Sequence, residues 1–390
     1  MGGINVSFNE TIIRRNTASI KWDLCKDDVL PLWVADMDFK SPKEVIKALN
    51  DRVMHGVYGY TYVEDSYYEA IINWMKKRHN WEIEKDWIVI TPGIVSALNI
   101  IIQTFTKEGD SVLIQRPVYN PFSNAIEKNN RTLVNSPLVY NDNTYEIDFV
   151  DFEQKIVSHD VKLFIMCSPH NPVGRVWKKS ELEKIGDICL KHNVLIIVDE
   201  IHHDLVFKEY KHIPLAALGK KYLENSITCT APSKSFNLAG LKLSNIIIGN
   251  PEARAKFTDY LESISLTSSN IFAMVACRAA YNHGGYWLDQ VMEYIKANKI
   301  YVKNYLAKHH PQIKVVDSEA TYLMWLDFSY LKMDNETLAN FMLNEAKLWL
   351  NHGYVYGEEG SGFERLNIAT SRSLLEEALK RLSLALNKYQ

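Results

Sequence analysis

The alternation of short apolar runs with helical patterns in the middle of the chain constrains its fold most strongly. Runs rich in valine, isoleucine and leucine are predicted to be strands at 87–90, 111–114, 162–167, 194–198, 226–230 and 245–248. Helical patterns between them are clearest over 95–105 and 179–192. Continuous β-branched runs separated by helices are typical of strands buried on both faces of a mostly parallel sheet. We therefore predict an α/β fold with helices on both faces of the central sheet.

The last hundred residues have a different pattern. A long helical pattern over 285–310 ends at Pro311, and apolar strands at 322–326 and 365–369 precede an amphipathic helix near 374–386. This part predicts a smaller α+β domain. Because 390 residues exceed what one small core absorbs, we expect a large domain over 46–284 and a small domain built from 1–45 and 285–390.

Composition limits the partners and the compartment. The hydrophobic fraction of 47% and charged fraction of 23% are typical of globular proteins, and the net charge of −3 favours neither nucleic acid nor an anionic membrane as a partner. No apolar run reaches the roughly 18 residues of a membrane span. The five cysteines are odd in number and lie mostly in apolar runs, which favours reduced, buried thiols. With no apolar signal segment after Met1, a cytoplasmic protein is expected.

Lys234 lies in a run of small residues, just after the apolar segment 226–230 and before a second lysine, Lys242. A lysine amine is nucleophilic only when it is neutral. Partial burial and a neighbouring cation both favour the neutral form, which can form a Schiff base with a carbonyl compound. The alternative is an ordinary solvated lysine, which is the commoner role of this residue type.

Polar segments follow the predicted strands at their carboxyl ends, where open α/β sheets bind ligands. The turn at 91–95 could hold a phosphate on helix amides, but no dinucleotide-binding or P-loop motif is present. The segment 167–174 has two prolines around Asn171 and is compatible with a simple turn. The acids and histidines of 198–204 could cap a helix, bind a metal, or pair a buried carboxylate with a pyridine nitrogen. That last arrangement keeps such a ring cationic and electron-withdrawing.

Two aromatic segments near the N-terminus allow two interpretations each. Trp33 and Phe39 lie in the aromatic and acidic run 30–39 and either pack on a core or cross the mouth of a site. The loop 55–62 is rich in tyrosine, and exposed tyrosines on loops favour binding or an interface.

With these segments in place, the whole chain resembles the fold-type I pyridoxal-phosphate (PLP) enzymes of the aminotransferase class I/II superfamily, most closely the MalY/PatB-type cystathionine β-lyases. The segments that carry the resemblance are LWVADMDF at 32–39, YGYT at 58–61, PVY at 117–119, PHNP at 169–172, DEIH at 199–202 and SKSFN at 233–237. The resemblance implies cleavage of L-cystathionine or related S-substituted cysteines to a thiol, pyruvate and ammonia. An aminotransferase and a catalytically weak, PLP-binding regulatory protein are the alternatives.

The resemblance also implies a set of cofactor-binding residues. Lys234 would bind PLP covalently and then act as base and acid at the substrate Cα. The other implied contacts are Asp199 at the pyridine nitrogen, Asn171 and His202 at the ring oxygen, Tyr119 on the ring face, and Ile94, Val95, Ser233 and Lys242 at the phosphate. Lys242 stands where many relatives have an arginine, so a bidentate phosphate contact is not expected there.

For the substrate, the resemblance implies that Arg365 binds the α-carboxylate, a bidentate task that suits a guanidinium. Arg372 is the rival for this role, and we prefer Arg365 because it precedes the apolar run 366–368. Trp33 and Asp36 are expected to shape the pocket for the substrate side chain. Tyr60 is expected to reach across a homodimer interface into the neighbouring site. No metal is expected.

Overall fold

The computed structural model describes residues 7–389. The helices are α1 Ile20–Asp23, α2 Lys43–His55, α3 Asp65–His79, α4 Ile94–Phe105, α5 Pro121–Lys128, α6 Phe149–Ser158, α7 Lys179–Lys191, α8 Lys220–Glu224, α9 Pro232–Ser235, α10 Pro251–Ser263, α11 Ile271–His283, α12 Gly285–His309, α13 Asn335–Asn340 and α14 Arg372–Tyr389. The strands are β1 Leu30–Pro31, β2 Ile88–Thr91, β3 Ser111–Ile114, β4 Thr132–Asn135, β5 Val139–Asn141, β6 Thr144–Glu146, β7 Val161–Cys167, β8 Leu195–Asp199, β9 Ser226–Thr230, β10 Ser244–Ile247, β11 Lys314–Val315, β12 Leu323–Asp327, β13 Leu348–Trp349, β14 Asn351–His352 and β15 Phe363–Asn367.

The central sheet has seven strands in the order β2-β10-β9-β8-β7-β3-β4. All pairs from β9 to β4 are parallel, whereas β10 runs antiparallel to both of its neighbours. The mostly parallel sheet predicted from the sequence is therefore confirmed. Its register places Cys167, Asp199 and Cys229 side by side at the carboxyl ends of β7, β8 and β9.

Apolar layers cover both faces of this sheet. Along β7, Leu163 and Ile165 pack on the side of α4, α5 and α10, whereas Phe164 and Met166 pack on the side of α6 and α7. Side chains that alternate between two buried faces explain why the strand reads as a continuous apolar run. The same packing leaves the carboxyl end of the sheet as the place where polar groups can gather.

The C-terminal part forms the smaller α+β unit that the sequence predicts. Its antiparallel sheet has the order β11-β12-β15-β14, and α12 packs against α14. The N-terminal segment joins this part because β1 pairs with β13. The boundaries 46–284 for the large domain and 1–45 with 285–390 for the small one stay a prediction, and residues 1–6 lie outside the described part of the chain.

Residues 32–39, which we call the N-terminal strap, cross from β1 to the carboxyl end of the central sheet. Asn367 on β15 donates to the carbonyls of Val34 and Asp36, both at 2.6 Å. At the far end of the strap, the Asn237 side chain bonds the backbone of Met37 and Phe39.

All five cysteines are buried free thiols. No helix within residues 7–389 has both the length and the apolar character that a membrane crossing requires.

Candidate active site

A cavity of about 390 Å³ opens at the carboxyl end of the central sheet. The strap, the N-terminus of α4, the turn after β8, α9 and β15 surround it. Its lining contains eleven of the residues predicted from the sequence: Trp33, Ile94, Val95, Tyr119, Asn171, Asp199, His202, Ser233, Lys234, Lys242 and Arg365. Asp36 and Tyr60 are absent from this lining.

One wall of the cavity is the N-terminus of α4. Gly93 precedes the helix with φ +100°, a conformation that favours glycine. The helix has no side-chain cap and no acidic residue in its first turn, and its first backbone bond is donated by Ala97 to Gly93. The amides of Ile94 and Val95 therefore point at the cavity mouth without a partner inside the helix, which is the arrangement that binds phosphate groups. Lys242 is exposed at the same wall.

Lys234 lies on α9, directly after β9. Its half-buried ammonium donates a hydrogen bond to the carbonyl of Ala35 at 2.7 Å. Burial, followed by the charge of Arg365, lowers the pKa of Lys234 to about 8. A neutral amine is therefore accessible close to neutral pH, as a nucleophilic lysine requires.

Asp199 ends β8 at the floor of the cavity and is 3% exposed. One carboxylate oxygen accepts the amide of Ile201 at 3.1 Å, and no lysine, arginine or histidine of the described chain forms an ion pair with it. Burial raises the pKa of this carboxyl to about 7. A buried acid without a cationic partner is costly, so this position suits a ligand that brings a protonated nitrogen.

Asn171, His202 and Tyr119 stand around the same floor. The Asn171 side chain accepts a hydrogen bond from Arg365 at 3.1 Å, and its peptide to Pro172 is cis. His202 is 2% exposed and its Nδ1 has no hydrogen-bond partner within the described residues. Burial, with the charge of Lys234 next in size, holds the pKa of His202 well below its usual value. A neutral imidazole here can donate to or accept from a ligand oxygen.

Arg365 on β15 is 2% exposed and forms no ion pair with a carboxylate of the described chain. Its Nη1 donates to Asn171 and its Nη2 donates to the carbonyl of Trp33 at 2.6 Å, while its Nε lacks a partner. The rival Arg372 lies outside the cavity, where it donates to Asn298 at 3.0 Å and stacks on Tyr301. Arg372 is therefore half-buried and engaged, in contrast to the solvated side chain expected at the start of the last helix.

Trp33 lines the cavity and stacks on Trp349, with ring centroids 4.6 Å apart. Asp36, which the sequence placed beside it as a pocket residue, points away. Its carboxylate pairs with Arg14 at 2.6 Å and with the buried Lys21 at 3.5 Å. Arg14 and Lys21 hold this carboxylate outside the cavity. The sequence around Asp36 does not reveal these two partners.

Tyr60 is fully exposed on the loop between α2 and α3 and lines a separate cavity of about 290 Å³ with Arg278. Within one chain it does not reach the site around Lys234. A contribution to the neighbouring site of a homodimer stays a prediction.

Other groups at the site gave no signal in the sequence. Tyr322 donates to the carbonyl of Ala35, so that oxygen accepts from both Tyr322 and Lys234. Asn351 lines the cavity at the position paired with Arg365. The two hydrogen bonds to the carbonyl of Ala35 join segments about 200 and 290 residues apart, and no local sequence pattern predicts contacts over such distances.

Behind the cavity, His79, His203 and Asp204 are close enough to hold a metal ion. Both oxygens of Asp204 already accept hydrogen bonds, from Trp74 and His79 at one oxygen and from Ser235 at the other. The group therefore acts as a hydrogen-bonded cluster in this structure.

Comparison with known proteins identifies the family to which the chain belongs. Residues 27–382 match the profile of the family "Aminotransferase class I and II". The chain is 42% identical to cystathionine beta-lyase PatB of Bacillus subtilis, over 98% of this chain and 100% of the relative. The solved structure of cystalysin from Treponema denticola, described as containing a pyridoxal 5'-phosphate cofactor, is 41% identical with a TM-score of 0.97, covering 99% and 100% of the two chains.

A PLP-bound C-S lyase from Staphylococcus hominis is 34% identical, with a TM-score of 0.93 and 98% coverage of both chains. Both the profile and these relatives span nearly all of the chain. The chain belongs to the aminotransferase class I and II family.

Proposed function

We propose that this protein is a PLP-dependent carbon–sulfur β-lyase that cleaves L-cystathionine or related S-substituted cysteines to a thiol, pyruvate and ammonia. The observation that carries the proposal is the cavity itself, which gathers Lys234, Asp199 and Arg365 as three buried or half-buried charges without a charged side-chain partner. Each lacks the partner that a different part of a PLP–substrate pair would supply. The names of the relatives at 42% and 34% identity favour the lyase reaction.

The residues present fit PLP. The free amides of α4, with Ser233 and Lys242, suit its phosphate; the unpaired Asp199 suits its ring nitrogen; and Asn171 with His202 suits its ring oxygen. Tyr119 is half-buried beside them and offers a flat apolar face. When bound, PLP supplies an electron-withdrawing pyridinium ring that stabilises negative charge at the substrate Cα.

The side chains of the cavity then have separate roles in the reaction. Arg365 binds and orients the substrate α-carboxylate, and Trp33 closes the space beside it. Lys234, with its lowered pKa, takes the proton from Cα, and the sulfur substituent leaves from Cβ as a thiolate. The aminoacrylate product hydrolyses to pyruvate and ammonia. Asp199 keeps negative charge at the cavity floor, where a protonated ring nitrogen requires it.

An aminotransferase is the second candidate, because the family profile carries that description and the same residues would serve both reactions. Purified protein is given L-cystathionine, and pyruvate and thiol release are followed with and without a 2-oxo acid acceptor. Release of both products without an acceptor supports the lyase. Formation of a new amino acid from the acceptor, with no pyruvate, identifies an aminotransferase, and cofactor binding without either reaction identifies a regulatory protein.

The homodimer, the role of Tyr60 in it and the cytoplasmic location belong to the same proposal. Tyr58, Tyr60 and Tyr62 expose large aromatic surfaces on one loop, with exposed fractions of 54%, 111% and 79%. Such a cluster is typical of an interface rather than of a free surface.

A further inference from the structure

The helix that carries Lys234 is too short to be stable by itself. Helix α9 has four residues and no side-chain cap, and its backbone bonds are those from Phe236 to Pro232 and from Leu238 to Ser233. A single turn of helix is unstable without tertiary contacts. The direction of the Lys234 side chain therefore depends on what holds the residues beside it.

The nearest polar contact is made by Ser235, the residue after Lys234. Its hydroxyl is fully buried and donates to Asp204 at 2.7 Å. Asp204 also accepts from Trp74 at 3.0 Å and from His79 at 2.9 Å, both on α3, and His203 lies 3.3 Å away. One buried carboxylate thus ties α9 to α3.

The side chain of Asp204 is only 1% exposed. Burial opposes its ionisation, but the charge of His203, 3.3 Å away, and the hydrogen bond from His79 outweigh that cost and hold the pKa of Asp204 well below its usual value. Hydrogen bonds to an ionised acceptor are stronger than neutral ones. An asparagine could accept at only one of the two oxygen positions, because its amide nitrogen donates and has no acceptor capacity.

Asp204 also belongs to the segment that follows β8. Asp199, at the end of β8, and His202, in this segment, both line the cavity. Two backbone bonds tighten this segment, from His203 to Glu200 and from Leu205 to His202. The carboxylate is therefore in a position to fix α9 relative to the residues at the cavity floor. Neither Asp204 nor Ser235 lines the cavity.

We propose that Asp204 and Ser235 form a positioning pair that fixes the Lys234 amine relative to the cavity floor. The proposal rests on the proposed role of Lys234 as the proton-transfer group. Losing the bond lets α9 shift, and a small shift of the amine slows proton transfer while the groups that bind substrate stay in place. The pair acts through Lys234 and touches no ligand.

The test compares Ser235→Ala, Asp204→Asn and the double variant with Ser226→Ala. Ser226 is a matched control because its buried hydroxyl also donates one hydrogen bond, to the carbonyl of Tyr222 at 2.6 Å, and it lies at the start of β9, at the opposite end of that strand from α9. Amide hydrogen exchange of residues 232–241 is measured in the apoprotein, and kcat and KM in the loaded enzyme.

We expect Ser235→Ala to speed exchange in 232–241 and to lower kcat roughly tenfold with little change in KM, whereas Ser226→Ala changes neither. The double variant should match Asp204→Asn alone, because both changes remove one interaction. Equal behaviour of Ser235→Ala and Ser226→Ala, or fully additive effects, overturns the proposal. If Asp204→Asn does not fold, the comparison of Ser235→Ala with Ser226→Ala tests the proposal by itself. The exchange measurement needs no turnover, so it stands even if the lyase assignment fails.

Discussion

Two groups of charges lie on either side of the N-terminal strap, and they differ in how their charges are paired. On one side, Arg14 and Lys21 face Asp36 and Asp38, with ion-pair distances of 2.6–3.5 Å. On the other side, the charges of the cavity have no oppositely charged side chain within 4.0 Å in the described chain. The paired group stabilises the fold. The unpaired group is the one that we propose binds ligands with the complementary charges.

The strap connects the two groups. Lys21 is completely buried against Asp38 at 2.7 Å, which anchors the strap from outside. On the inner side, the carbonyls of Trp33 and Ala35 accept hydrogen bonds from Arg365 and Lys234. Neutral carbonyls satisfy donors without cancelling their charge, so both cations remain able to attract an anion.

The largest effect is expected from Lys234→Ala. The reaction loses its base and its covalent cofactor attachment, so turnover should fall by roughly a thousandfold or more. The thermal midpoint of the apoprotein should change little, because the lysine makes no ion pair and Tyr322 still donates to the carbonyl of Ala35 when the lysine's hydrogen bond is lost. Pyruvate release and circular dichroism melting check the two parts. A variant that retains a tenth of the activity would place the chemistry elsewhere.

The difference between a buried and an exposed ion pair can be measured as unfolding free energy, with substitutions of Asp38 and Asp65. Asp38→Asn leaves the buried Lys21 with only Asp36 at 3.5 Å and should cost about 3 kcal/mol of unfolding free energy. The exposed pair of Asp65 with Lys85 provides the control, and Asp65→Asn should leave stability unchanged. Urea unfolding of the apoprotein measures both.

Asp199→Asn should raise the unfolding free energy of the apoprotein, whereas Asp38→Asn should lower it. Because the pKa of Asp199 is raised to about 7, the native state binds a proton more tightly than the unfolded state, and wild-type stability falls as pH rises from about 4 to about 7. The variant lacks this loss and should be more stable by up to about 4 kcal/mol near pH 7. Urea unfolding at several pH values checks this, and identical pH profiles would contradict it.

Arg365→Lys should reduce kcat/KM about a hundredfold, mainly through KM, because an ammonium cannot bind a carboxylate bidentately. Arg372→Lys is the matched control in the same C-terminal part of the chain and should change kcat/KM little, since its contacts are to Asn298 and Tyr301. Steady-state kinetics distinguishes the two arginines. A larger loss for Arg372→Lys would reverse the assignment.

The smallest effect concerns Tyr60. Tyr60→Ala should lower activity roughly tenfold through one lost hydrogen bond to a charged ligand, and Tyr62→Ala serves as the control on the same loop. Mixing Tyr60→Ala chains with Lys234→Ala chains should recover activity, because a mixed dimer contains one site with both residues intact. No recovery after subunit exchange would remove Tyr60 from the neighbouring site.

The sequence predicts the central sheet well because its strands are buried on both faces. The predicted strands at 111–114 and 226–230 match β3 and β9 at both ends. The edge strand β4 escaped prediction because its burial is partial, and the antiparallel direction of β10 leaves no mark on an apolar run.

The residues that the sequence brought forward lie at or just after the carboxyl end of a strand: Asp199 ends β8, and Lys234 lies on the helix that follows β9. Asp36 shows the limit of this approach. Its direction is set by Arg14 and Lys21, and a lysine that is completely buried is too unusual to expect from its sequence alone. The anchoring of α9 through Asp204 depends on α3, which lies more than a hundred residues away along the chain.

The most direct test of the unpaired cavity is chemical labelling of its lysine. The protein is loaded with PLP, reduced with borohydride and digested, and the peptide that carries the reduced pyridoxyl group is identified by mass spectrometry. The geometry predicts a single modified residue, Lys234, and no label at that peptide in Lys234→Ala. Labelling confined to another lysine, such as the exposed Lys242, would contradict the central claim.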